Sequence, residues 1–227
     1  MESNRVLDAF RGEARDLTRA VEGLSEAQWD LPTRCQPWSV RELLGHVRMT
    51  VARVPSMLDA PAPPRAEVSA AEYYRPDDRF SPQANTARIA TARDQATGHA
   101  DGAALVRDFV AVWQRTDRLC RAEPVDRVVR TRHGDPMLLT QFLVTRVVEV
   151  AVHGLDLAAA LDREPWLTAP AADVVLELML ASDRQTATRE LGWDRAELLR
   201  RITGREPLDP AAAAQVERLG IRWLTLG

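Results

Sequence analysis

The 227-residue chain contains no lysine; each of its 30 basic residues is arginine. A GC-rich genome produces such a bias, yet the bias has chemical consequences. A Schiff-base lysine, a pyridoxal-phosphate enzyme and a P-loop nucleotide hydrolase all need the missing amine. Cysteine is nearly absent too: Cys35 and Cys120 lie far apart, with no Cys-x-x-Cys spacing. That disfavours a structural disulfide and leaves two ordinary, partly buried thiols as the expectation. Neither a GxSxG elbow nor a GxGxxG turn occurs, so an α/β-hydrolase or a dinucleotide-binding fold has no support. No apolar run reaches the roughly 18 to 20 residues that span a bilayer. The charged opening "MESNRVLDAFRGEARDL" has no signal-peptide stretch. A net charge of −3 gives no basic footprint for nucleic acid. These absences predict a cytoplasmic protein with neither a membrane nor a nucleic-acid partner.

What the chain does have is helical periodicity. With 45% hydrophobic residues it can bury one full-sized core. A first helix is predicted over 4–22, with Val6, Phe10, Ala14, Leu17 and Val21 on one face. "LSEAQWDLPTRCQPW" reads as a loop or short turn. Ser39 to Glu42 form a capping box that opens a second helix, striped by Leu43, Leu44, Val47, Val51 and Val54. The proline-rich residues 59–82 read as a long surface connection, of the kind that forms lids. Helices follow over 83–97, 102–122 and 140–161, separated by an irregular or extended "VDRVVRTRHGDP". Beyond them lie a helix from 170 to about 191, shorter ones opened by Asp194 and Asp209, and an extended close, "IRWLTLG". The simplest architecture is all-α: a helical bundle over 1–165 and a helical C-terminal extension over 166–227.

The stretch "TRVVEVAVHGLDLAAAL" (145–161) raises the chemical question. It is apolar apart from Arg146, Glu149, His153 and Asp156. At about 100° per residue these four fall within an arc of about 80°, a single polar stripe on an otherwise apolar helix. Glu149 and His153 stand one turn apart, and a carboxylate beside a neutral imidazole is a half-site for a divalent metal. The plainer alternative is a hydrogen-bonded Glu–His pair. His46 lies at the flank of the second helix's apolar stripe, where it can face a cleft and supply a third ligand. His99 and His133 sit beside glycines in loops and read as solvent-exposed.

The segments "PWSVRELLGHV" and "RVVEVAVHGLDLAAAL" resemble the mycothiol-dependent maleylpyruvate isomerase family. Trp38, Ser39, Leu43 or Leu44, and His46 match its first motif; Glu149, His153, Gly154, Asp156 and Leu157 match its second. The resemblance implies a DinB-like four-helix bundle and zinc held by His46, Glu149 and His153, with one position open. It also implies mycothiol as the thiol cosubstrate. The expected activity is then thiol transfer to, or thiol-assisted isomerisation of, a small electrophile, because a zinc with an open position favours the thiolate. Asp156 is a candidate to hold a ligating histidine by its second nitrogen or to shuttle the thiol proton. Arg146, Arg88 and Arg222 are candidates for binding a substrate anion, each with an ordinary ion pair or surface position as its alternative. A zinc-hydroxide hydrolase and a non-enzymatic metal-binding or regulatory bundle are the competing readings. A monomer or a homodimer is compatible with all of these.

Overall fold

The computed structural model describes residues 2–75, 82–180 and 189–221. Four long helices make its centre: α1 (Glu2–Val21), α3 (Val40–Asp59), α6 (Gly102–Ala122) and α7 (Leu139–Ala160). Each packs on two of the others, α1 on α6 and α7, and α3 on α6 and α7, which closes a four-helix bundle. The core between them is large: Phe10, Leu17, Leu43, Leu44, Leu105, Phe109, Phe142, Leu143 and Leu157 are fully buried. The all-α expectation therefore holds, with one small addition. Strands β1 (Val128–Arg130) and β2 (Pro136–Leu138) pair antiparallel within the segment read as irregular.

Short-range chemistry sets the helix starts. Ser39 accepts from the Glu42 amide at 3.3 Å and Glu42 accepts from the Ser39 amide at 2.9 Å, so the capping box forms as read. Two shorter helices fall where loops are expected, α2 (Glu26–Trp29) and α4 (Ala70–Tyr73), each with its own serine capping box. The second corrects the picture of 59–82 as a purely surface connection. Ala70 and Tyr73 are buried, and the Glu67 amide donates to the Pro136 carbonyl at 2.9 Å, which ties the connection to β2. Residues 76–81 of that connection lie outside the described residues.

Helix α5 (Pro82–Thr97) covers α3, and Gly45 makes its approach possible. A Cβ there would stand 3.0 Å from the Ala92 carbonyl oxygen. Downstream, α8 (Ala169–Met179) packs on α1 and α7, and α9 (Arg195–Ile202) packs on α7 and α8. The α8 segment ends earlier than its apolar pattern predicts. Leu180 is extended and forms an antiparallel bridge with Ile221, a partner 41 positions away that periodicity cannot reveal. Asp194 and Asp209 cap α9 and α10 (Pro210–Arg218) as read. Among the described residues no helix is long and apolar enough to cross a membrane.

Candidate metal centre

Helices α3 and α7 bring His46, Glu149 and His153 together. The pairing follows from their apolar faces: Leu43, Val47 and Val54 of α3 and Val147, Val150 and Leu157 of α7 are all buried, which draws the polar stripe of α7 against the flank of α3. His46 Nε2 stands 3.2 Å from Glu149 Oε2, and His153 Nε2 stands 3.5 Å from the same oxygen. One donor atom from each residue lies within 4.8 Å of the others. Both rings are buried, and Glu149 is nearly so. Trp38 stacks on His46 with ring centroids 4.6 Å apart, and the two imidazoles meet edge to face at 5.1 Å.

A second layer of side chains fixes these rings. Asp156, fully buried, accepts from His153 Nδ1 at 3.0 Å. It is held in turn by Arg205, whose Nε reaches Oδ1 at 3.1 Å and whose Nη2 reaches Oδ2 at 2.8 Å. Cys35 Sγ donates to Asp156 Oδ2 at 3.1 Å. On the other flank Arg146 is buried: it donates to the Thr50 carbonyl at 2.9 Å and to Thr145 Oγ1 at 3.1 and 3.2 Å, and lies 3.8 Å from Glu149 Oε1. Its guanidinium also lies over the Phe142 ring.

The charge states follow from these contacts. Burial pulls His46 down to about 4, so its imidazole is neutral at pH 7. Burial alone would raise Glu149, but hydrogen bonds from His153 and His46 outweigh it and hold the carboxyl well below its usual range. Burial would likewise lower His153, yet its bonds to Asp156, Cys35 and Glu149 favour the protonated ring. The donor set is thus one ionised carboxylate and two imidazoles, with a proton shared among them.

These residues fit a divalent ion. With Nδ1–H given to Asp156, a neutral His153 aims its Nε2 lone pair at the Glu149 carboxylate. Two buried lone-pair bearers this close repel unless a cation lies between them, and a metal competes with the proton for that place. Ligand atoms around a tetrahedral zinc with bonds of about 2.0–2.1 Å stand about 3.4 Å apart, close to the 3.2 and 3.5 Å observed. A second group, Cys35, His153 and Asp156, also has clustered donor atoms. Arg205 and, at 3.9 Å, Arg34 already neutralise Asp156, so a cation is disfavoured there.

The structure therefore places the residues read from the sequence unevenly. His46, Glu149, His153, Asp156 and Arg146 share one cluster. Arg88 is half-buried on α5, and its charge acts on His46. Arg222 lies outside the described residues. His99, expected to face solvent, instead bridges the Gln95 carbonyl and Asp108 at 2.7 and 3.0 Å. Sequence reasoning missed Arg205 and the proximity of Cys35. The partners of Cys35, His153 and Asp156, lie 118 and 121 residues away, and nothing local distinguishes Arg205 from the other arginines.

A four-helix bundle with an inward-facing His–Glu–His cluster belongs to the DinB-like class. The sequence matches the mycothiol maleylpyruvate isomerase N-terminal domain over residues 10–158, and the chain belongs to that enzyme family. In structure it is similar to a protein described as the mycothiol-dependent maleylpyruvate isomerase, with 19% identity and a TM-score of 0.52. The likeness covers 83% of this chain and 69% of that one, and at this identity it concerns the fold. No curated protein sequence matches the chain at a significant level.

Proposed function

We propose that the chain is a mycothiol-dependent enzyme that transfers the thiol to a small electrophile, or uses it to isomerise one, with zinc held by His46, Glu149 and His153. The observation that supports the reading is the convergence of three donors from two helices, close enough together for one cation to replace the proton they share. Family membership supports mycothiol as the thiol. A zinc ion at this position supplies positive charge and an open coordination site, which favour the thiolate over the thiol.

The chain's own residues do the rest. His46 is neutral and His153 would give up its Nε2 proton to the metal, the first ring restrained by the Trp38 face and the second by Asp156. Arg146 braces α3 against α7 and sets the orientation of Glu149; with its donors committed to protein acceptors, it is a brace rather than a substrate clamp. Asp156 is a positioning residue for His153, kept anionic by its hydrogen bonds from His153 and Arg205. Its link to the Cys35 thiol also offers a route for a proton toward the half-exposed loop. Residues 1–165 form the metal-binding bundle and 166–227 an extension that completes the site by contributing Arg205.

Elemental analysis of protein purified without added metal tests the centre directly. About one zinc per chain is expected, falling on His46→Ala, Glu149→Gln or His153→Ala while helical content is retained. Full occupancy in all three variants would remove the cluster from consideration.

A further inference from the structure

The proline-rich connection delivers a phenol to the flank of the metal centre, and metal binding makes no use of it. Tyr74 closes α4 and is half-buried. Its hydroxyl donates to the Thr145 carbonyl at 3.3 Å. A helical carbonyl is directed at the amide four residues on, so this oxygen lies at the level of Glu149, one turn along α7. Thr145 and Glu149 also share a face of that helix, and Arg146 joins them. It donates to Thr145 Oγ1 at 3.1 Å and lies 3.8 Å from Glu149 Oε1.

The ring is firmly placed, whereas the bond of its hydroxyl is loose. The Ala70 amide donates to Gln141 Oε1 at 3.0 Å, and Tyr73 packs edge to face on both Phe142 and Tyr74, which fastens α4 to α7. The 3.3 Å bond of the hydroxyl is about half an ångström longer than a good O–H···O bond. Its acceptor already takes an amide within α7. Exchanging that acceptor for a charged one is favourable. Burial, then the charge of Glu149, push the phenol well above its usual range, so the hydroxyl keeps its proton at neutral pH.

Access to the centre is on the same side. The side chains of His46 and His153 are 6% and 3% exposed, and that of Glu149 is 13% exposed. A small molecule therefore reaches the centre past Glu149, the residue whose turn of α7 carries the Tyr74 hydroxyl. Arg146, the cation on that flank, has its donors committed to Thr50 and Thr145.

We propose that Tyr74 is a catalytic residue of the thiol reaction, the hydrogen-bond donor to an enolate oxygen, and that the substrate is accordingly a carbonyl compound with a conjugated double bond. The proposal rests on the metal-centre reading for the source of the thiolate. The thiolate sulfur forms a bond to the β-carbon, the electron pair of the double bond moves in to join the α-carbon to the carbonyl carbon, and the carbonyl pair moves onto oxygen. That oxygen accepts from the Tyr74 hydroxyl, which exchanges the Thr145 carbonyl for an anion and keeps its own proton. Protonation of the α-carbon by solvent, which received the thiol's proton, completes an addition. Rotation about the former double bond and expulsion of the sulfur instead give the isomer, with no net change in protons.

Two measurements on the metal-loaded protein test this. Cyclohexane-1,3-dione, an enolate at neutral pH, is titrated calorimetrically beside neutral cyclohexanone. Tyr74→Phe should weaken the dione about tenfold to a hundredfold, the range for a hydrogen bond to a charged group, and leave cyclohexanone and zinc content at wild-type levels. Cyclohexenone, whose addition passes through an enolate, and benzyl chloride, whose displacement does not, are then compared as electrophiles for mycothiol. Tyr74→Phe should slow cyclohexenone about a hundredfold to a thousandfold, as for the loss of one oxyanion donor, and leave benzyl chloride at the wild-type rate. An equal fall for both electrophiles would make Tyr74 a structural brace of α7 and overturn the proposal. Equal dione affinity in the two proteins would overturn it as well. If the wild type shows no mycothiol-dependent turnover while dione binding still depends on Tyr74, the functional reading fails and the oxyanion site stands.

Discussion

Arg205 is the residue on which the geometry of the centre leans most heavily, although it ligates nothing. Asp156 is fully buried, and without the Arg205 guanidinium its charge would have His153, Cys35 and the more distant Arg34 to answer it. Arg205→Met should therefore destabilise the protein by about 3–5 kcal/mol, the range for breaking one side of a buried pair. Zinc affinity should fall about tenfold to a hundredfold, because the orientation of His153 is lost. Urea unfolding and a competitive zinc titration read the two effects. Arg205 could not be read from the sequence: its partner is 49 residues away, and one arginine among 30 has no mark of its own. His46, Glu149 and His153 could be read, because Glu149 and His153 repeat at helical spacing inside an apolar stretch. A different buried acid gives a pH prediction. Burial raises Glu13 to about 7, only partly offset by its bonds from Thr168. A folded-state value above the unfolded one means that the group's contribution is fully present below about pH 4.5 and is lost as pH rises through about 7. Relative to Glu13→Gln, wild-type stability should fall across that window by up to about 3 kcal/mol. Urea midpoints for both proteins at pH 5 and pH 8 check it, and a constant difference would contradict it.

At the scale of elements, local signals held where the determinants were local. The Ser39 box, the Asp194 and Asp209 caps and the long apolar stripes are each set within a few residues, and each helix begins where its cap stands. Ser39→Ala should cost about 1 kcal/mol of stability, read as a lowered urea midpoint with an unchanged slope. Partners distant in sequence decide the rest. Helix α8 gives way at Leu180 because Ile221 pairs with it, and the proline-rich connection is anchored because Pro136 accepts from Glu67 and Val68. Packing between elements adds constraints that no pattern shows. Gly102 opens α6 directly against Trp29, and a Cβ there would fall 1.9 Å from the indole nitrogen. Gly102→Ala should consequently displace the fully buried Trp29 ring and, despite the better helix propensity of alanine, lower stability by about 1–3 kcal/mol, with a change in tryptophan fluorescence.

For the whole molecule, four helices supply the core and the segment after residue 165 supplies the support on which Asp156 depends. The bundle holds the three donors, α5 covers α3 beside His46 through Gly45, and α9 leads directly into Gly204 and Arg205. The family match over 10–158 includes all three proposed ligands but not the arginine behind Asp156. We propose that a metal at His46, Glu149 and His153 and a thiol cosubstrate act together. This is tested by following consumption of a neutral alkylating electrophile against mycothiol concentration, with metal-loaded and chelator-treated protein side by side. The rate is expected to saturate with mycothiol, vanish on chelation and return with added zinc. A rate that is the same without any thiol would contradict it and point instead to a zinc-hydroxide hydrolase.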